Sequence, residues 1–303
     1  MRRLMGFQSV LAVFLIAAIN PTLWAWSVEA HKAIALIAIQ QLQGTNTAKR
    51  ITALLGTLTL ADIATCADEV RDLEEYKTPI SPTCKKIFPK PPTGTAPWHF
   101  VNSPIKGATF NPTTADVNAA CAGNCALTKI PVYLAVLSKA KPTDTAAQKL
   151  AEQQALSFVV HFIGDIHQPL HAADRDGDSG GNAEHVSFFG TDSSGKLKLH
   201  TIWDNEIVSR VSPTETLLTG AIAMEISQAS GETDSGDPMT WALQSYGYAR
   251  DVAYNGIPAE PAHSTTDVAT LGADYQNKAA PVVRIQIARA GVRLADALKK
   301  ALP

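Results

Sequence analysis

The segment His161-Phe-Ile-Gly-Asp-Ile-His-Gln-Pro-Leu-His171 constrains this chain more than any other stretch. It closes a long run of helical periodicity, and on a helix His161 and Asp165 lie one turn apart and point the same way. Pro169 is expected to stop the helix, and His171 follows just beyond it. The segment therefore predicts a largely apolar helix whose C-terminal end presents imidazole and carboxylate groups together.

Helical periodicity also dominates most of the remaining chain. Ser27 is expected to cap a helix over 28–43 that ends at Gly44, and Thr145 is expected to open the helix over 146–166. Residues 280–301 form an amphipathic pattern that predicts a C-terminal helix. These patterns predict a mainly α, single-domain protein of packed helices.

Evidence for strands is limited to one region. Residues 185–189 and 196–201 flank the Gly-rich stretch 190–195 and predict one small β-hairpin. Two loop-rich stretches, 78–97 and 174–182, interrupt the helices. Long loops within a compact domain usually carry function, so we expect them at the rim of a site.

The first 25 residues have the layout of a secretory signal peptide. Arg2 and Arg3 precede an uncharged apolar stretch centred on 10–19, and the small residue Ala25 precedes Trp26. The Arg-Arg pair leaves a twin-arginine signal as an alternative to ordinary export. Removal of 1–25 leaves 303 − 25 = 278 residues, enough for one catalytic domain over 26–303. No later segment is apolar enough for a membrane anchor, so we expect a secreted or periplasmic monomer.

Four cysteines remain after such cleavage, and an even number in an exported protein predicts two disulfides. The short loop between Cys121 and Cys125 favours that pair, which leaves Cys66 with Cys84. A zinc site built from all four cysteines is the alternative. The absence of an N-x-[ST] sequon favours a bacterial periplasm or medium over a eukaryotic secretory route.

Net charge argues against a protein that binds polyanions through a basic surface. The chain has 26 basic and 28 acidic residues, and without Arg2 and Arg3 the balance is 24 − 28 = −4. Most proteins that bind nucleic acid do so through basic surface. If this one acts on nucleic acid, positive charge must come from elsewhere, and bound metal is the candidate.

A second His-x3-Asp pair, His200 and Asp204, repeats the spacing of the first pair. Imidazole and carboxylate are ligands that suit zinc. A single helical His–Asp pair is commonly only a hydrogen bond. Two pairs together with His171, in a chain of eight histidines, favour a metal site.

Three upstream features add candidate groups. Asp68 and Arg71 lie on one helical face, and His99 stands beside Phe100 at the end of a proline-rich loop. Trp26 and His31 are five residues apart, and cleavage before Trp26 would free an α-amine that can ligate metal once deprotonated.

Together these residues resemble the S1/P1 nuclease family, to which zinc-dependent bacterial phospholipase C is related. The resemblance rests on Trp26 with His31, Asp68 with Arg71, Trp98-His99-Phe100, the 161–171 segment, Gly180-Gly181-Asn182, and His200 with Asp204. It implies three zinc ions. One would be bound by Asp68, His99 and His161, a second by Trp26 and His31, with Asp165 bridging these two, and a third by His171, His200 and Asp204. Three Zn²⁺ ions bound by three aspartates would leave the cleft with net positive charge. A polyanion could then bind there although the net charge of the protein is negative.

The resemblance also implies roles in substrate binding. Arg71 would steady the phosphate, and Phe100 would stack a nucleobase; their structural alternatives are a surface salt bridge and a core phenylalanine. The Gly180-Gly181 backbone and Asn182 would bind the base edge. Asn102 departs from an aspartate common in the family, and an amide both donates and accepts where a carboxylate only accepts.

The implied activity is hydrolysis of phosphodiester bonds in single-stranded DNA and RNA to 5′-phosphate products, with 3′-nucleotidase activity. A zinc phospholipase C and a non-catalytic, metal-stabilised binding protein are the alternatives. His167, His185 and His263 are expected to lie outside the ligand set, with His167 in the core or behind the ligands.

Overall fold

The computed structural model describes residues 26–107, 109–191, 197–232, 236–258 and 268–303. The predicted signal peptide and His263 lie outside these ranges. The α-helices are α1 Val28–Gln41, α2 Asn46–Leu55, α3 Leu60–Ile63, α4 Cys66–Glu75, α5 Pro82–Ile87, α6 Thr114–Cys121, α7 Ala126–Leu137, α8 Ala146–Asp165, α9 Leu199–Thr201, α10 Ile207–Val211, α11 Glu215–Ala221, α12 Ala223–Ser230, α13 Pro238–Tyr248 and α14 Ala273–Ala301. Short 3-10 turns cover Ala96–His99 and Pro169–His171, and π-helical turns cover Ile202–Glu206 and Ala249–Ala253. The mainly α class is confirmed.

The predicted helix starts at Ser27 and Thr145 are confirmed by their capping hydrogen bonds. The Ser27 hydroxyl accepts from the N–H of Ala30, and the Thr145 hydroxyl accepts from the N–H of Gln148. Helix α14 begins at Ala273, seven residues before the predicted start, because Pro281 is accommodated inside the helix. The ends of α1 and α8 lie within two residues of the predicted ones.

Helix α14 crosses α1 at close range, and a glycine makes this crossing possible. A Cβ atom on Gly291 would lie 2.5 Å from the Cβ of Ile37 and 3.1 Å from the carbonyl oxygen of Ile34. Both isoleucines are fully buried. The crossing therefore sets how α1, which carries His31, sits in the core.

Both predicted disulfides are present. Cys66 is bonded to Cys84, and Cys121 is bonded to Cys125. Since all four cysteines are bonded, the alternative four-cysteine zinc site is wrong. The first bond joins the start of α4 to α5, two residues before Asp68.

The predicted hairpin is not formed as expected. Strand β3, Val186–Phe188, pairs in parallel with β4, Ala269–Leu271, and 199–201 are helical rather than extended. The two predicted arms touch at one antiparallel bridge between His185 and Lys198. A second parallel pair joins β1, Ser103–Pro104, to β2, Ala173–Asp174. Because 199–201 are helical, His200 lies one helical turn before Asp204 and the two side chains are close. A β-strand at 196–201 would separate them.

Within the described ranges, no single helix has the length and apolarity needed to cross a membrane. Two bent pairs of helical segments meet those requirements in combination. One pair is α2 with the segment that contains α3 and α4, and the other is α6 with α7.

Replacing Gly291 with Ala should lower the free energy of unfolding by about 1–3 kcal/mol, because the added methyl group overpacks the α1–α14 crossing. Gly247 lies in α13 with open space at its Cβ position. Gly247→Ala is the matched control, and it should raise stability by about 0.5–1 kcal/mol through better helix propensity. Urea denaturation followed by circular dichroism measures both, and equal effects would contradict the close crossing.

Candidate metal centre

Four elements bring five of the predicted ligands into one buried cluster. Helix α1 carries His31, α4 carries Asp68, the 3-10 turn carries His99, and α8 carries His161 and Asp165. Each is at most 1% exposed. The cluster therefore lies inside the protein, beneath the side chains that line the surface.

The imidazole nitrogens and carboxylate oxygens of this cluster lie about as close together as hydrogen-bonded atoms. Nε2 of His161 lies 3.3 Å from Oδ1 of Asp68 and 3.2 Å from Oδ2 of Asp165. Asp165 Oδ2 is also 2.9 Å from Nδ1 of His99, and its Oδ1 is 3.3 Å from Nε2 of His31. Asp165 thus faces three imidazoles, the position that a bridging ligand requires.

A second cluster contains His171, His200 and Asp204. Nε2 of His200 lies 3.3 Å from Oδ2 of Asp204, and the rings of His171 and His200 stack with centroids 5.0 Å apart. Asp204 belongs to the π-helical turn over Ile202–Glu206, a distortion that often marks functional sites. The predicted grouping of these three residues is therefore matched by their positions.

Three sets of side chains have ligand atoms that all lie within 4.8 Å of one another. They are His31, Asp68 and His161; His99, His161 and Asp165; and His171, His200 and Asp204. The sets account for all eight predicted side-chain ligands other than Trp26. The first two share His161, so they form one continuous cluster.

Unpaired buried atoms show that these residues fit a metal ion. Nε2 of His31, Oδ2 of Asp68, Oδ1 of Asp165 and Nε2 of His171 are buried and form no hydrogen bond. Buried polar atoms in proteins are nearly always hydrogen-bonded, and a metal ion satisfies such atoms equally well. Four unpaired donors and acceptors in one cleft therefore fit bound cations.

Backbone carbonyls orient three of the imidazoles. Nδ1 of His161 donates to the Ala64 carbonyl at 2.7 Å, Nδ1 of His171 to that of His99 at 2.8 Å, and Nδ1 of His200 to that of Gly180 at 2.6 Å. Each hydrogen bond directs Nε2 of its ring into the cluster, and in the neutral imidazole it fixes the tautomer whose Nε2 can bind metal.

Burial and charge together set the protonation states. Burial lowers the pKa of His99 to about 4 and, with the neighbouring His171, lowers that of His200 to about 3. Neutral imidazole is the form that binds metal. Burial also opposes charge on His161, but the carboxylates of Asp165 and Asp68 outweigh it and raise its pKa to about 10.

The two carboxylates stay ionised for the complementary reason. Burial acts to raise the pKa of Asp68, but Arg71 and His161 outweigh it and hold that pKa well below its usual range. His161 likewise lowers the pKa of Asp165 against the effect of burial. Asp204 differs, since burial raises its pKa well above the usual value. The first cluster therefore compensates its own charge, whereas the second holds a carboxyl group that a cation would ionise.

Arg71 is held rigidly at the edge of the first cluster. Its Nη1 lies 2.8 Å from Oδ1 of Asp68, and its Nε and Nη2 donate to Oδ1 of Asp72 at 3.0 and 2.9 Å. Arg71 is only 7% exposed yet lines the cleft. The surface salt bridge considered from the sequence is therefore wrong.

A cleft of about 280 Å³ opens above the clusters. The side chains that line it are Arg71, Glu75, Tyr76, Ala96, His99, Phe100, Asn102, Leu170, His171, Ser179, Asn182 and His200. Among them, the resemblance implied Arg71 as a catalytic residue that steadies the phosphate, and Phe100, Asn102 and Asn182 as substrate-binding residues. Phe100 is only partly buried, which excludes the core alternative.

Gly180 and Gly181 are not among the residues that line the cleft. Both have positive φ, and a Cβ on Gly180 would lie 2.3 Å from the carbonyl oxygen of Leu170. Only glycine fits this position. In the structure Gly180 packs against the carbonyl groups of Leu170 and Ala173, and its own carbonyl orients His200.

The sequence did not reveal several residues at the site. Asp72 orients Arg71, and Gln168 donates to Oδ1 of Asp204 at 2.8 Å. Glu75 lies one turn after Arg71, so helical spacing could have indicated it. Tyr76 and Ser179 carried no recognisable signal.

Trp26 is fully buried beside the clusters. Its indole N–H donates to the carbonyl of Gly164 at 2.9 Å, and the N–H of Ser27 donates to the carbonyl of Asp204 at 2.8 Å. His167 lies outside the ligand sets as expected, since its Nδ1 donates to Ile163 and its Nε2 accepts from Arg293.

Replacing Gln168 with Leu removes the donor that holds Asp204 while keeping the side-chain volume. Loss of such an outer contact typically weakens metal binding roughly 10–100-fold, so we expect one equivalent of metal to bind that much more weakly. Titration against a chromophoric chelator measures this. Gln153→Leu is the matched control, because the Gln153 amide in α8 also donates a hydrogen bond to another element, but to the carbonyl of Leu54, which belongs to neither ligand cluster. Unchanged affinity in Gln168→Leu would contradict the role of Gln168.

The sequence of this chain is similar to those of known nucleases. Endonuclease 2 of Arabidopsis thaliana is 26% identical over 96% of this chain and 95% of its own length. Nuclease S1 of Aspergillus oryzae is 28% identical over 90% of both chains, and Nuclease P1 of Penicillium citrinum is 26% identical over 89% of this chain and 96% of its own. The S1/P1 nuclease family model matches residues 26–303. The chain therefore belongs to the S1/P1 nuclease family and is a hydrolase that cleaves phosphodiester bonds.

Proposed function

We propose that the protein is a zinc-dependent endonuclease that cleaves single-stranded DNA and RNA to 5′-phosphate products and removes phosphate from 3′-nucleotides. The observation that carries this proposal is the position of three His/Asp sets directly beneath a cleft lined by Arg71 and Phe100. The family match favours this activity over a phospholipase C or a non-catalytic binding protein.

The His/Asp sets support bound metal, and the resemblance to the family implies three zinc ions. Asp68, His99 and His161 would hold one ion, the amine and carbonyl of Trp26 together with His31 a second, and His171, His200 and Asp204 the third, with Asp165 bridging the first two. Zinc in such a centre supplies Lewis acidity and a nucleophile at neutral pH. The unpaired buried atoms of His31, Asp68, Asp165 and His171 support this assignment.

Arg71 would bind the phosphate and stabilise charge on the leaving oxygen. Asp68 and Asp72 hold the guanidinium in place before substrate arrives, so little side-chain freedom is lost on binding. A fixed guanidinium next to developing negative charge is the arrangement that most favours a transition state.

Phe100 would stack one nucleobase, and the amides of Asn102 and Asn182 would bind its edge. Nδ2 of Asn182 donates to the Ser179 carbonyl at 2.9 Å, which fixes the orientation of that amide. A base can stack on the ring of Phe100 only when it is not stacked between its neighbours in a duplex. The site would therefore bind single strands in preference to duplexes.

We further propose that residues 1–25 are a signal peptide and that residues 26–303 act as a secreted or periplasmic monomer. The disulfides Cys66–Cys84 and Cys121–Cys125 support export, because such bonds persist mainly in oxidising compartments.

The activity test uses the secreted, zinc-loaded protein with single-stranded and duplex oligonucleotides of one sequence. We expect cleavage of the single strand only, 5′-phosphate ends by mass spectrometry, and loss of cleavage with a strong chelator that added zinc restores. Chelator-resistant cleavage would contradict the metal centre, and equal cleavage of the duplex would contradict the role of Phe100.

A second prediction concerns the amino group of Trp26. Protein that retains a short extension before Trp26 should bind one zinc equivalent fewer and lose most activity, because a peptide nitrogen is a far poorer ligand than a free amine. Proteolytic removal of the extension from the same sample should restore both. Full zinc content with the extension in place would remove Trp26 from the ligand set.

A further inference from the structure

Tyr76 is the second aromatic residue, after Phe100 and apart from the histidines, that lines the cleft, and none of the roles above uses it. The residue is 47% exposed. A single exposed aromatic residue is unremarkable by itself. The position of Tyr76, in the same cleft as Arg71 and Phe100, is what requires an explanation.

The end of α4 fixes the position of Tyr76. Its N–H donates to the Asp72 carbonyl at 2.9 Å, which continues the helical ladder one residue beyond Glu75. Lys77 then adopts a left-handed conformation with φ 59°, and its Nζ donates to the Glu74 carbonyl at 2.7 Å. The chain therefore leaves the helix at a defined point, and Tyr76 keeps a fixed relation to Arg71 on the same helix.

The two aromatic residues come from different elements and line the same cleft as Arg71. Tyr76 follows α4, the helix of Arg71, whereas Phe100 follows the 3-10 turn of His99. A phosphodiester joins two nucleosides, and Phe100 provides for one base only. The cleft thus presents two non-histidine aromatic side chains, one more than a single base requires.

We propose that Tyr76 stacks the base of the nucleoside on the other side of the scissile phosphate from the base held by Phe100. The inference rests on the proposed nuclease activity and extends it to a second base subsite. A tyrosine ring stacks on any base through its π face, so the subsite favours substrates with two nucleosides without selecting a sequence.

The test compares a substrate with two bases against a substrate with one. In Tyr76→Ala, we expect kcat/KM for the dinucleotide ApA to fall about 10-fold relative to kcat/KM for adenosine 3′-monophosphate, since loss of one base–aromatic stack costs about that much. Tyr76→Phe should retain the wild-type ratio. Tyr76→Leu should behave as Tyr76→Ala, because leucine keeps apolar bulk but offers no π face.

Phe189→Ala is the matched control, because Phe189 is 40% exposed and is not among the residues that line the cleft. It should leave the ratio of the two substrates unchanged. Equal losses on both substrates in Tyr76→Ala, or a loss on neither, would overturn the second subsite. A wild-type protein that hydrolyses neither substrate would instead overturn the proposed function.

Discussion

Two carboxylates, Asp68 and Asp165, are buried on either side of His161, and the structure around them is arranged to compensate their charge. Nε2 of His161 lies 3.2–3.3 Å from an oxygen of each, and the pKa of His161 rises to about 10 as a result. Charge buried without a partner costs several kcal/mol. Metal ions at this position would replace the proton of His161 as the source of positive charge, so metal binding and proton release are coupled.

Close backbone packing brings the ligands to these carboxylates. A Cβ on Gly164 would lie 2.8 Å from Nδ1 of His31, so the glycine one residue before Asp165 is what allows α1 to approach α8. Gly291 does the same between α1 and α14. Gly180 lets the chain approach the carbonyl of Leu170, and its own carbonyl accepts the hydrogen bond that orients His200. The centre therefore depends on glycines as much as on its ligands, because they set the distances between the elements that carry the ligands.

Features encoded by local spacing were predictable from the sequence. Helix α8 and its His161–Asp165 face follow from helical periodicity, and the short loop between Cys121 and Cys125 indicated its own disulfide. Features that depend on distant partners were not predictable, as the pairing of Val186–Phe188 with Ala269–Leu271 shows. Gln168 was overlooked although it lies within the central motif, because its role depends on Asp204, 36 residues away in sequence.

The central claim is that the three His/Asp sets are a zinc centre, and X-ray diffraction data from a crystal of the secreted protein, recorded above and below the zinc absorption edge, test it most directly. The account predicts three anomalous peaks that disappear below the edge. Two should lie around Asp165, between His31 and His99, and one should lie between His171, His200 and Asp204. Absence of zinc peaks at these positions in a catalytically active crystal sample would contradict the account.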